Sequence, residues 1–255
     1  MEVLKLESLS KNFGGVKAVN NVSFSVKVGE RLAIIGPNGA GKTTLFNLIN
    51  GQLSPTTGRI FFFGQDVTDL PTHKLAHLGQ ARAFQIISLL QNLSVLENTL
   101  LTLHGIKQHR FKMLRPIQDF REVFDRAGRE LKTAGLWEKK DELVKNLSHG
   151  EQRRLEIHLG LSVDPKLLLL DEPSAGSTKE ESADIIGLIR NLESDITVLI
   201  VDHDMDMVFG LAERIIVLHY GEIIADGKPD DIQADQRVRE IYMGLEECID
   251  HADTG

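Results

Sequence analysis

The chain of 255 residues predicts an α/β fold: a mainly parallel sheet, an antiparallel β subdomain on its N-terminal side, and a helical subdomain inserted over approximately residues 86–161. Three observations carry that reading. The runs Leu167–Leu170, Ile196–Val201 and Ile215–Leu218 are short and continuously apolar, as expected of strands covered on both faces in a parallel sheet. Helical patterns separate these runs, which favours βα units joined by right-handed crossovers. From about Ile86 to Leu161 the texture changes, and long charged stretches with Leu at helical spacing replace the short β-branched runs.

Taken from the N-terminus, Val22, Phe24 and Val26 alternate with small or polar residues, the period of a half-buried antiparallel strand. Gly29-Glu30 turns the chain into Arg31–Ile35, a short apolar run that ends in a Gly-rich stretch. Lys42–Ile49 follows with Leu45, Leu48 and Ile49 at helical spacing, so this region reads strand, loop, helix. In the inserted region, Lys107–Lys132 holds eight Lys or Arg against four Asp or Glu, the one basic concentration in the chain. A solvated helical face is its plain reading, and a partner-facing surface is the alternative. The last residues, Glu246–Gly255, are polar and are expected to fray.

Composition narrows the function classes. The net charge of −8 argues against broad nucleic-acid binding, which calls for clustered Lys and Arg on a basic domain. One cysteine, Cys248, cannot close an internal disulfide, which fits a reducing compartment. No apolar run approaches the roughly 20 residues of a membrane-spanning helix. Met1–Glu7 alternates charge with apolar residues and has no signal-peptide pattern, so a cytoplasmic location is expected.

The chemistry concentrates in three segments. Gly36-Pro37-Asn38-Gly39-Ala40-Gly41-Lys42-Thr43 fits the pattern Gly, four residues, Gly-Lys, Ser or Thr, between a predicted strand and a predicted helix. Glycines let the backbone N–H groups approach phosphate oxygens, and the helix N-terminus adds positive potential. Lys42 reaches the β and γ phosphates, and Thr43, with Thr44 beside it, opens the helix with a hydroxyl for Mg²⁺. The run Leu167–Leu170 then ends in Asp171-Glu172, at the edge where α/β sheets place ligands. Asp171 is expected to hold the Mg²⁺ and Glu172 to polarise an attacking water. Ser148 and Glu151 are spaced as a capping box ahead of Arg153–Leu161. An ordinary capped helix is one reading, and an anion site at Ser148 and Gly150 is the other.

In this order, Gly36–Thr43, Gln85, Ser148–Gln152, Asp171-Glu172 and His203 resemble the ATP-binding subunit of ABC transporters, over nearly the whole chain. The resemblance implies a P-loop NTPase core of the ABC ATPase fold, with ATP and Mg²⁺ as ligands. It implies that Leu147–Gln152 is the signature segment, which lies over the ATP held by a second ATPase subunit, and that Gln85 joins the Mg²⁺ to the helical subdomain. It places His203 on the γ-phosphate and the ring of Phe13 on adenine. The chain departs from the family's usual Leu-Ser-Gly-Gly-Gln at His149 and Glu151, and Ser177-Thr178 lacks the acid or amide that usually ends the loop after Glu172.

Arg82-Ala83-Phe84-Gln85, Arg153–Ile157 and Asp202-His203-Asp204-Met205 are most similar to the ATPases of branched-chain amino acid importers and of the related urea and amide importers. That subfamily implies membrane permease subunits as partners, an external solute-binding protein, and a place on the inner face of the cell membrane. Two other classes stay open on sequence: a soluble ABC ATPase acting on ribosomes or DNA, and a regulatory nucleotide-binding module with little hydrolysis.

Overall fold

The computed structural model describes residues 1–83, 89–106 and 118–241. Two antiparallel strands, β1 (Glu2–Phe13) and β2 (Val16–Lys27), open the chain, and β1 also pairs with β4 (Thr57–Phe62), which hydrogen-bonds to the short β5 (Gln65–Asp66). Along β2, Val22, Phe24 and Val26 are buried while Asn21, Ser23 and Lys27 are exposed, the predicted alternation.

The main sheet contains β3 (Arg31–Ile35), β6 (Gln80–Ala83), β7 (Leu167–Asp171), β8 (Thr197–Val201), β9 (Arg214–His219) and β10 (Glu222–Gly227), in the spatial order β10-β9-β3-β8-β7-β6. All neighbours are parallel except β10, which pairs antiparallel with β9. Successive side chains of each strand divide between the two faces. Leu32, Ile34, Leu167, Leu169, Leu199 and Val201 join one core with Phe46 of α1 (Lys42–Ile49) and the strands of the smaller sheet. Ala33, Ile35, Leu168, Leu170, Val198 and Ile200 join a second core with α6 (Lys179–Arg190), α7 (Met205–Leu211) and α8 (Pro229–Ala234). Burial on both faces is why these strands read as unbroken apolar runs.

After α1, the helix α2 (Thr72–Leu78) leads into β6. Both elements, and β4 with β5, lie where the sequence reading assigned nothing. Between β6 and β7 the described residues form α3 (Val95–Ile106), α4 (Gln118–Thr133), two 3-10 turns and α5 (His149–Leu161). Val123, Ala127 and Leu131 make the buried stripe of α4, while Arg121, Arg129 and Lys132 are exposed, so the described part of the basic segment has a solvated face. Leu131, Leu136, Val144, Leu155 and Leu159 close a separate small core around these helices. Residues 107–117 and 242–255 lie outside the described residues, and with them the start of the basic stretch, the expected C-terminal fray and Cys248.

Candidate active site at the carboxyl edge of the sheet

Register brings the predicted segments together. Ile34 is opposite Val201 and Asp171 is opposite Val201, so the loops that follow β3, β7 and β8 leave the sheet at one level. These are Gly36–Gly41, the segment from Glu172 and the segment from Asp202. Ligands of α/β proteins bind at such an edge.

The first loop wraps the start of α1. Gly36 and Gly41 have φ of 154° and 100°, and a Cβ at either would run into backbone carbonyl oxygen, Leu218 O for Gly36 and Ala18 O for Gly41. No side chain caps α1 and its first turn holds no acid, so its N–H groups point into the loop unanswered by carboxylate. Ala40 is buried and its carbonyl accepts from Gly221 N at 2.9 Å, which fixes the loop to the β9–β10 turn, while Asn38 and Gly39 at the tip are exposed. Lys42 lies across the loop and donates to Gly36 O at 2.6 Å and Pro37 O at 3.0 Å. Burial pulls its ammonium pKa down, and the Glu172 and Asp171 carboxylates oppose that shift. Thr43 is exposed at the helix start and Thr44 is half-buried. An open, uncapped helix end, a loop whose turns at Gly36 and Gly41 admit no Cβ, a facing lysine and two carboxylates fit a magnesium nucleotide.

Asp171 closes β7, and Glu172 lies just beyond the strand. Asp171 is buried and receives a 2.5 Å ion pair from Arg82 on the neighbouring β6. Arg82 also donates to Asn47 Oδ1 at 2.7 Å and Gln52 Oε1 at 3.1 Å, and its guanidinium lies 5.2 Å from the Phe46 ring. It therefore ties the acid at the end of β7 to α1 and the turn beyond it. Glu172 is exposed, in a left-handed conformation at φ 50°, and donates its N–H to Val201 O at 2.7 Å. His203 Nδ1 is 3.9 Å from Glu172 Oε1, so the predicted base and the predicted γ-phosphate residue are side by side.

Ser148 and Gly150 stand apart from this cluster. The predicted capping box is formed: Glu151 N donates to Ser148 Oγ at 3.2 Å and Ser148 N to Glu151 Oε2 at 3.0 Å. Gly150 faces Glu181 at the start of α6, where a Cβ would overlap the carboxylate oxygen. The Glu181 carboxyl is held below its usual pKa first by the Thr178 N–H, and further by the Gly150 N–H and by His149. The two departures noted in the sequence thus meet within one chain. Thr178 caps α6, and the His149 ring packs on Gly176, close enough that a Cβ there would lie 3.1 Å from it.

Phe13 ends β1 as a 48% exposed residue, and Lys11 Nζ is 5.3 Å from its ring centroid. Gln85 lies outside the described residues. Sequence reasoning gave no role to Asn47 or Ser174, and used Arg82 and Asp202 only as marks of subfamily. A polar residue one position past a buried apolar strand, as Asp202 is, was the available signal.

A family profile described as "ABC transporter" matches residues 19–175, and one described as "Branched-chain amino acid ATP-binding cassette transporter" matches residues 222–247. The chain is 38% identical over 249 residues to the high-affinity branched-chain amino acid transport ATP-binding protein LivG of Escherichia coli K12, covering 95% of this chain and 98% of that protein. It is 36% identical to the probable LivG of Archaeoglobus fulgidus, over 97% of each. The nucleotide-free structure of an ATP-binding cassette from an ABC transporter superposes with a TM-score of 0.83 at 33% identity, covering 95% of this chain and 99% of that one. With the profile spanning more than half of its length and relatives matched almost end to end, the chain belongs to the ABC transporter family, as one of its ATP-binding cassettes.

Proposed function

We propose that this ATPase powers import of branched-chain or other hydrophobic amino acids through two partner permeases, working in a pair with a second ATPase subunit. The observation that carries the transported class is the end-to-end identity with branched-chain amino acid transport ATP-binding proteins, including the separate C-terminal match over residues 222–247. Among the described residues no helix is long and apolar enough to cross a membrane, so the conduit in this reading belongs to other subunits and this chain sits on their inner face. An external solute-binding protein delivers the solute to them.

The chemistry follows from the edge of the sheet. The N–H groups of Gly39–Thr43 and the Lys42 ammonium hold the phosphates of ATP, and Phe13 offers its exposed ring to the adenine. Mg²⁺, when bound, neutralises phosphate charge, and Thr43, Asp171 and Gln85 are the residues that would hold it. Glu172 accepts a proton from the attacking water while His203 orients the γ-phosphate beside it. Ser148 and Gly150 present the N-terminus of α5 to the ATP of the partner subunit. Two ATP molecules then join the pair, hydrolysis releases it, and the helices between β6 and β7 pass that movement to the permeases.

The test is purification of the chain from its own membranes in mild detergent, with mass spectrometry of what accompanies it. Two multi-spanning proteins and a second ATPase are expected. Ribosomal or DNA-associated companions would overturn transport, and components of a lipid export system would replace import by export, the alternative raised by the 36% identity to a lipopolysaccharide export ATP-binding protein of Acidithiobacillus ferridurans. A urea or amide permease would correct the solute.

A further inference from the structure

Asp202 is the residue immediately after β8, and it is fully buried. A carboxylate with no access to water needs donors on both oxygens. Its donors come from two different loops. Oδ1 accepts from Ser174 Oγ at 2.7 Å, and Oδ2 accepts from Ser174 N at 3.0 Å, two residues beyond Glu172. Oδ1 also accepts from His203 N at 2.7 Å and Asp204 N at 2.9 Å. One side chain therefore clasps the loop that carries Glu172 and the loop that carries His203, at the point where β7 and β8 leave the sheet in register.

We propose that Asp202 is a positioning residue for ATP hydrolysis, which sets Glu172 and His203 relative to each other through Ser174. This rests on the roles of Glu172 and His203 given above. Asp202 acts through these groups and not on the reacting atoms, because it has no exposed surface and its carboxylate accepts from Ser174, His203 and Asp204. Glu172 most needs such a clasp. It is held in the left-handed region at φ 50°, which a non-glycine residue keeps only where its surroundings enforce it. The 3.9 Å separation of His203 Nδ1 and Glu172 Oε1 spans the two clasped loops. Charge-assisted bonds from a buried carboxylate are stiff enough to hold it.

The experiment uses the full chain co-purified with its membrane partners, and compares Asp202→Asn, Ser174→Ala and the double variant for phosphate release and for stoichiometric ATP binding. Asn keeps the shape but replaces one acceptor oxygen by a donor facing Ser174. We expect kcat to fall about 10- to 100-fold in Asp202→Asn, the scale of a displacement near 1 Å at a reacting group. The KM for ATP and the ATP bound per chain should stay within about twofold, since the loop at Gly36–Gly41 is untouched. Ser174→Ala removes only the Oγ bond and leaves the three from the N–H groups of Ser174, His203 and Asp204 in place, so it folds, and should lower kcat by a smaller factor. The double variant should be no slower than Asp202→Asn alone, because both changes cut one link. An unchanged kcat in Asp202→Asn, multiplicative losses in the double variant, or equal changes in kcat and KM would overturn the proposal. Glu172→Gln and His203→Ala, assayed alongside, keep the two readings apart. Normal turnover in those variants removes the roles assigned to Glu172 and His203, whereas their inactivity with a normal Asp202→Asn removes Asp202 alone.

Discussion

Replacing Arg82 by Met tests how the end of β7 is held, and its cost can be worked from the contacts. The Arg82 side chain is 0% exposed and that of Asp171 is 7% exposed, at an N–O distance of 2.5 Å. Methionine keeps the packing against Phe46 but leaves Asp171 without its cation, and the acceptors Asn47 Oδ1 and Gln52 Oε1 without this donor. Breaking one partner out of a buried ion pair costs about 3–5 kcal/mol, because the remaining charge stays desolvated. The two amide oxygens are only partly buried and turn to water at a cost of at most about 1 kcal/mol each. For a chain of this size each kcal/mol lowers the melting temperature by about 2–4 °C, so a total of about 3–7 kcal/mol should make Arg82→Met melt roughly 6–28 °C below the parent. Calorimetry without nucleotide or Mg²⁺ reads this directly, free of any effect on ATP binding. Substituting Asp171 by Leu as well removes the stranded charge, and the double variant should recover most of the loss, because apolar replacement of a whole buried pair is often close to neutral. A melting point for Arg82→Met within 2 °C of the parent, or a double variant no more stable than the single, would refute the view that this pair holds the site.

Three further outcomes follow from the same geometry. Glu172→Gln changes an exposed, nearly isosteric side chain, so it should melt with the parent and still bind ATP, while phosphate release falls by about 10²–10⁴, the usual worth of a general base. Near-normal turnover would remove it as the base. Gly41→Ala places a Cβ against Ala18 O at φ 100°, so ATP binding, followed by calorimetric titration, should be lost along with thermal stability, whereas Gly39→Ala, whose Cβ meets open space, should cost only its positive φ. His158 is buried on α5, and burial first, then the Arg154 charge, lowers its pKa from 6.5 to about 4. The unfolded chain takes up that proton first, so this stabilisation is complete above about pH 6.5 and declines as the pH falls towards 4. His158→Gln should remove about 3 kcal/mol of the parent's loss in unfolding free energy across that window, measured by denaturant titration at each pH.

What could be read from the sequence was whatever local rules dictate. The strands β3, β7, β8 and β9 announce themselves because burial on both faces demands an unbroken apolar run, and β2 because one covered face demands alternation. Gly36–Thr43 is legible for a similar reason: positive φ and close packing against the carbonyls of Leu218 and Ala18 admit only glycine at Gly36 and Gly41, so the loop is written in residue type and spacing. The box at Ser148 and Glu151 is likewise local. Tertiary structure decided everything that depends on which strand lies beside which. Arg82 and Asp171 are 89 positions apart and meet because β6 and β7 are neighbours in register; nothing in the local pattern around either residue selects the other. Asp202 and Ser174 meet for the same reason at the ends of β7 and β8. The departures at His149 and Thr178 look unrelated on the page of the sequence, yet α5 and α6 set their N-termini against each other and let Glu181 serve both. β5 and β6, of two and four residues, hold too few side chains to show a period, and β4 opens with Thr57, Gly58 and Arg59 before its apolar end, so only pairing with β1, with β4 and with β7 makes these three segments strands.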